Sequence, residues 1–227
     1  MKRFVRALFI GATLGLLCPP SLPAAILISN LGQAEGGGSA FNNTATRAAT
    51  DFLTGPSATS IRGATLFMRN PDSIAHTFTL TLFTDNGSGS PGSPIGSFAP
   101  FTLPASPAYY SDCSTTSTGI SLVANTAYWA VLQMNQNSVG NGAWWALTQT
   151  EATDAGSVFS TISTGGAKGS LNSGASWNNS SPPLNMQFSL QGVVVPEPST
   201  FVLTVVGLLG ILLLMHHQAL SRSRLER

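Results

Sequence analysis

Charged side chains are scarce in this 227-residue chain: 8% of the total, ten basic against nine acidic. Soluble domains carry about 25%. That scarcity excludes the dense Lys/Arg footprint of a nucleic-acid binder. The 43% share of hydrophobic residues excludes a charged disordered chain. Histidine and cysteine are rarer still, at three and two, and only His76 and Cys113 fall between residues 26 and 192. One of each excludes an ordinary zinc site and an intramolecular disulfide in that region. Cys113 reads as a buried or semi-buried thiol, and His76 as a surface or strand-end imidazole. No Gly-x-Ser-x-Gly elbow is present, which argues against a serine hydrolase. Gly36-Gly37-Gly38 lacks the following Lys-Ser/Thr of a phosphate loop. No segment sustains helical periodicity across 26–192.

The two ends are read separately from the middle. Met1-Lys2-Arg3-Phe4-Val5-Arg6, an apolar run from Ala7 to Leu17 and the small residues up to Ala25 predict a signal peptide over 1–25. Leu17 stands where a lipobox needs a small residue, which argues against lipidation of Cys18. At the other end, 193–200 reads as a linker, 201–217 as a transmembrane helix and 218–227 as a basic cytoplasmic tail. Phe201 to Met215 would span about 22 Å as a helix, short of a hydrocarbon core of about 30 Å unless its flanks enter the interface. Arg222, Arg224 and Arg227 follow it and place the preceding domain outside. A plain tail anchor and a sorting signal both fit this pattern.

Pro196-Glu197-Pro198, the apolar span and the short Arg-rich end together resemble a PEP-CTERM sorting signal. The resemblance covers about 30 residues. It implies a Gram-negative envelope protein handled by an exosortase, with Pro196, Glu197 and Pro198 as recognised residues. It also implies association with extracellular polysaccharide, and membrane attachment through the C-terminal helix before processing.

Residues 26–192 carry four basic side chains (Arg47, Arg62, Arg69, Lys168) and seven acidic, so this part is about −3. Ser, Thr, Gly and Asn dominate it and favour strands and turns. Period-two alternation is clear over His76 to Phe83, Thr126 to Met134 and Leu184 to Gln191. In the last, Leu184, Met186, Phe188 and Leu190 would face the core, with Asn185, Gln187, Ser189 and Gln191 in solvent. Weaker strands are expected over 26–32, 50–54, 59–69, 95–103, 118–123, 143–149 and 157–162. Turn signals separate them, among them Gly36-Gly37-Gly38, Asn70-Pro71 and Asp85-Asn86-Gly87. About ten short strands predict an all-β, antiparallel, jelly-roll-like β-sandwich. The ordered set Asn30-Leu31-Gly32-Gln33, Leu82-Phe83-Thr84-Asp85, Leu122 to Trp129, Ser176-Trp177 and Phe188 is similar to the choice-of-anchor R family. That likeness implies a surface domain and supplies no catalytic residues.

Three functional readings follow. The first is a non-enzymatic surface protein, with no catalytic set and no cofactor. The second is a carbohydrate-binding module, since aromatic faces stack on sugars and amides bond hydroxyls. Trp177, in a polar loop beside Asn178 and Asn179, is its first candidate platform. Trp144 and Trp145 are the others, one of them facing the core because neighbours on a strand face opposite sides. The third is a glycoside-cleaving enzyme using Glu151 and Asp154. Asp85 and Asn86 offer oxygen ligands for calcium, and a hairpin turn explains them equally well.

Overall fold

The computed structural model describes residues 24–195, apart from 139, 141, 151, 161–165 and 180–184, together with 206–211 and 213. The expected signal peptide up to residue 23, the Pro-Glu-Pro motif and Glu151 lie outside the described residues. So does most of the expected 201–217 helix. Residues 206–211 are helical, and no helix among the described residues is long and apolar enough to cross a membrane.

Thirteen strands form two sheets among the described residues. In chain order they are β1 (Ala25–Ser29), β2 (Glu35–Phe41), β3 (Arg47–Leu53), β4 (Thr59–Asn70), β5 (His76–Asp85), β6 (Pro91–Ser97) and β7 (Phe101–Leu103). They continue with β8 (Ser106–Leu122), β9 (Ala127–Met134), β10 (Ala143–Thr148), β11 (Ala167–Ser170), β12 (Asn178–Asn179) and β13 (Phe188–Val194). In the first sheet, β8 lies along one side of β4. β13 and β10 follow one another along its other side, carrying β1 and β2 on their far edges. The second sheet runs β12-β11-β3-β9-β5, with β6 and β7 both on β5.

The sheets pack face to face as an antiparallel β-sandwich. Phe41, Ile61, Leu66, Trp145 and Phe188 from the first meet Phe52, Phe78, Leu80 and Leu132 from the second in one buried cluster. Rings cross the gap: Phe41 meets Phe78 edge-on at 5.6 Å, and Phe52 meets Phe188 at 6.2 Å. Along one side the sandwich is closed where the segment after β6 reaches β8, with Ala99 N donating to Thr116 O at 2.7 Å and Thr115 Oγ1 to Ala99 O at 2.5 Å. On the other side β2 stands beside β11 and β12.

Several expectations need correction. The Gly36-Gly37-Gly38 run is strand, not turn. A Cβ on Gly36 would lie 2.6 Å from the backbone Thr148 O and Gly37 has φ 113, so close approach and a positive φ favour glycine there. Residues 95–103 divide into β6 and β7. Residues 157–162 form no strand in their described part, only a bridge from Ser160 to Leu53, while Phe159 plugs the core and stacks on Phe52 at 6.0 Å. β8 is far longer than 118–123. At Gly119 (φ 121) its inward positions change from Cys113 and Thr115 to Ile120 and Leu122. This bulge breaks the alternation. Residues 185–190 are not half-exposed: Asn185 and Gln187, ahead of β13, are buried alongside β10 and β4, with Gln187 Nε2 donating to Gln33 O at 2.7 Å, and Ser189 is buried in β13 between β1 and β4.

Asp154 ties the loop of residues 152–160 to β1. Its Oδ2 accepts from Ser29 Oγ at 2.6 Å and Gly32 N at 3.1 Å, and its Oδ1 accepts from Gln33 Nε2 at 3.0 Å. Burial alone would raise the carboxyl pKa. The three hydrogen bonds together outweigh it and hold the pKa below the ordinary value. A depressed folded pKa means stability that is present above the unfolded value of about 3.9 and lost as pH falls through the folded one. Asp154→Ala is therefore expected to cost about 1–2 kcal/mol at neutral pH and to flatten the acid side of the stability profile. Urea midpoints from neutral pH down through the carboxylate range check both.

Candidate functional site

The outer face of the first sheet carries a ridge built from three strands. The β4–β8 register sets Phe67 against Asp112 and Met68 against Ser111, which brings Tyr110 alongside Phe67 and Arg69. The β4–β10 register sets Trp144 against Arg69. Phe67 and Tyr110 stack at 5.3 Å, and the Arg69 guanidinium lies 4.9 Å from the Tyr110 ring and 5.0 Å from the Trp144 ring. Phe67, Arg69, Tyr110 and Trp144 are all half-buried. Each cation–π contact contributes about 1 kcal/mol and holds the rings in line. Burial raises the Tyr110 pKa, with Arg69 opposing and Glu35 reinforcing, so the phenol stays a neutral hydrogen-bonding group. Its Oη donates to Gly37 O at 3.4 Å, fastening the ridge to β2.

A cleft of about 360 Å³ lies across β2 from that ridge, between β2 and β11–β12. Ser39, Ala40 and Gly38 form one wall, and Lys168, Asn178 and Asn179 the other. Gly38 belongs to both features, because a Cβ there would also lie 3.2 Å from Trp144 Cε3. Lys168 Nζ donates to Asn179 Oδ1 at 2.7 Å and lies 5.7 Å from the Trp129 ring.

Trp177 is half-buried rather than the open platform the sequence suggests. It packs against a second apolar cluster of Ala49, Trp129 and Val131. Trp144 and Trp145 part as adjacent strand residues must: Trp144 lies on the outer ridge, whereas Trp145 is fully buried with Nε1 donating to Gln187 O at 2.7 Å. Trp145 therefore offers no ring face to a ligand. Asp85 and Asn86 organise the β5–β6 hairpin. Asp85 accepts from Gly87 N at 2.6 Å and Trp129 Nε1 at 2.8 Å, and Asn86 Oδ1 from Ser88 N at 2.8 Å and Ser90 N at 3.2 Å. No three His, Cys, Asp or Glu side chains converge as metal ligands among the described residues. Cys113 is half-buried against the core, and burial raises its pKa against the Ser111 hydrogen bond, with Asp112 reinforcing the rise.

His76 is not a surface imidazole; it is fully buried. Its Nε2 lies 2.9 Å from Asp72 Oδ2, and Ser138 Oγ donates to the same oxygen at 2.6 Å. Gln136 Nε2 meets His76 Nδ1 at 3.3 Å. An amide N–H facing Nδ1 makes that nitrogen an acceptor and places the ring proton on Nε2, toward Asp72. Serine and histidine thus both bind the carboxylate, and the serine proton points to Asp72 rather than to the imidazole. The sequence offered no signal for this group, since its members are distributed over residues 72–138.

No protein-family model matches the chain, and no curated protein matches it.

Proposed function

We propose that this jelly-roll-like β-sandwich is a non-enzymatic, exported protein of a Gram-negative cell envelope, sorted by an exosortase and associated with extracellular polysaccharide. The observation that carries the binding part is the Phe67–Tyr110–Arg69–Trp144 ridge. Stacked on one another and on Arg69, these half-buried rings offer apolar edges beside guanidinium donors, a mixed surface that suits the C–H groups and hydroxyls of a sugar chain. The export part is supported by the apolar run after Met1-Lys2-Arg3 and by Pro196-Glu197-Pro198 ahead of a second apolar run.

Binding is tested on the full chain, solubilised in detergent. Titration with the producing organism's extracellular polysaccharide is expected to change tryptophan fluorescence saturably. Trp144→Ala is expected to weaken binding at least about tenfold, the size of a modest aromatic hot spot. A folded chain without a saturable change would overturn the binding part. Sorting is read by mass spectrometry: the exported form is expected to end near residues 196–198, and recovery of only full-length chain would replace the exosortase with a simple tail anchor.

A further inference from the structure

We propose that the end of the sandwich where β1 begins and β13 ends docks on a lipid bilayer, standing the domain end-on at the membrane that its C-terminal apolar run enters. The inference rests on the reading of 201–217 as a transmembrane helix and is independent of the polysaccharide reading.

Strand pairing assembles this end. Val194 pairs with Thr59 and Thr59 with Leu122, so β13 and β8 end on either side of the start of β4. Val195 N donates to Ala58 O at 2.9 Å, and Ala25 of β1 stands opposite Gly192. From the second sheet, Thr54 Oγ1 donates to Val123 O at 2.7 Å, and Leu53 bridges to Ser160. Val158 N donates to Leu27 O at 2.8 Å. Of the ten large hydrophobic side chains exposed among the described residues between 24 and 195, six ring this end: Ile26, Leu53, Val123, Val158, Val194 and Val195. Val123 is 65% exposed, and Ile26 and Val158 are each 54% exposed. Residues 24–29, 52–60, 118–128, 155–160 and 186–195, which meet here, contain no charged side chain. The β5–β6 hairpin brings Asp85 to the same end, with its carboxylate held by Trp129 Nε1 and Gly87 N.

Clustered, exposed apolar side chains mark a protein or membrane contact, and the length of the chain beyond Val195 selects the membrane. Phe201, the first residue of the apolar run, follows Val195 by six residues, which span about 20 Å at most. This end is therefore held within that reach of the bilayer. Tethering makes docking intramolecular, so a weak apolar contact suffices. These segments carry no basic side chain and the domain is about −3, so the contact is apolar insertion rather than attraction to anionic headgroups. Docking also holds the aromatic ridge clear of the membrane: Arg69 lies ten residues along β4 from Thr59, about 30 Å of strand.

The test reconstitutes the full chain, with Cys18 and Cys113 replaced by serine, in vesicles of phosphatidylethanolamine and phosphatidylglycerol. A nitrobenzoxadiazole label is attached at Val123→Cys or, at the opposite end of the sandwich, at the exposed Thr44→Cys. Spin-labelled lipid is expected to quench the label at 123 and not that at 44, in low and high salt alike. Adding Ile26→Asp and Val158→Asp is expected to abolish the quenching at 123, because charged side chains are costly to carry into lipid. An unquenched label at 123, or equal quenching at 44, in a chain that resists alkaline extraction from the vesicles overturns the docking and leaves the transmembrane reading standing. Quenching at 123 that high salt removes would make the contact electrostatic and overturn the proposal. Self-quenching between labels at 123 without quenching by lipid would give this face to a second copy and overturn it too. Release of the chain from the vesicles by alkaline extraction removes both the docking and the transmembrane reading.

Discussion

Trp145→Ala is expected to destabilise the domain by about 3–5 kcal/mol, the range for deleting a large buried aromatic ring. Trp145 is fully enclosed between the sheets, and its Nε1 donates to Gln187 O at 2.7 Å. Truncation opens a cavity in the core and leaves a buried carbonyl without its donor. The adjacent Trp144→Ala is expected to cost only about 1 kcal/mol, the size of its cation–π contact with Arg69 on the outer face. It is nonetheless the variant expected to lose polysaccharide binding. Urea unfolding of the two variants side by side checks the contrast. Equal destabilisation would mean that the β10 register places the wrong ring inside.

Asp72→Ala is expected to cost about 2–4 kcal/mol, because it removes the shared acceptor at the centre of a buried polar cluster and leaves its donors unmade. Asp72 is 5% exposed. It accepts from Ser138 Oγ at 2.6 Å, from His76 Nε2 at 2.9 Å and from Ser73 N at 3.1 Å, while its own N–H donates to Asn70 Oδ1 at 3.1 Å. These bonds tie the turn between β4 and β5 to the segment following β9. Without the carboxylate, a buried imidazole N–H and a hydroxyl lose their shared acceptor, and desolvated donors are costly to leave unmade. Asp72→Asn retains an acceptor oxygen and is expected to cost less. The urea midpoints of the two variants give the measurement, and an unchanged midpoint for Asp72→Ala would refute the structural role assigned here.

Much of the sandwich was legible in the residues because one physical rule leaves a clear mark. A strand with one face in the core and one in solvent alternates, and β5 shows this plainly with Phe78, Leu80 and Leu82 buried. Legibility ended wherever that rule ended. The polar residues Asn185, Gln187 and Ser189, leading into and opening β13, are buried, so the alternation there reported polarity and not exposure. β8 changes phase at Gly119, so no single period runs through it. β2 opens in glycine because backbone Thr148 crowds Gly36 and Gly37 takes a positive φ, and the same three glycines read locally as a turn.

The candidate site divides in the same way. That one of Trp144 and Trp145 faces inward follows from the geometry of adjacent strand residues. Which one does so was decided by the pairing of β10 with β4 and β2. Trp177 was legible as an aromatic ring in a polar segment, but its packing on Ala49, Trp129 and Val131 and its place beside Arg47 depend on how the 170–179 segment folds over β3 and β9. The ridge was not legible: Phe67 and Arg69 are separated from Tyr110 and Trp144 by tens of residues, and only strand register makes them neighbours. By itself, then, the sequence determined the all-β class and several of its strands, because alternation is a local property of the chain. The tertiary structure alone decided which rings and cations share a surface, because register and sheet packing are set by long-range pairing that no local pattern encodes.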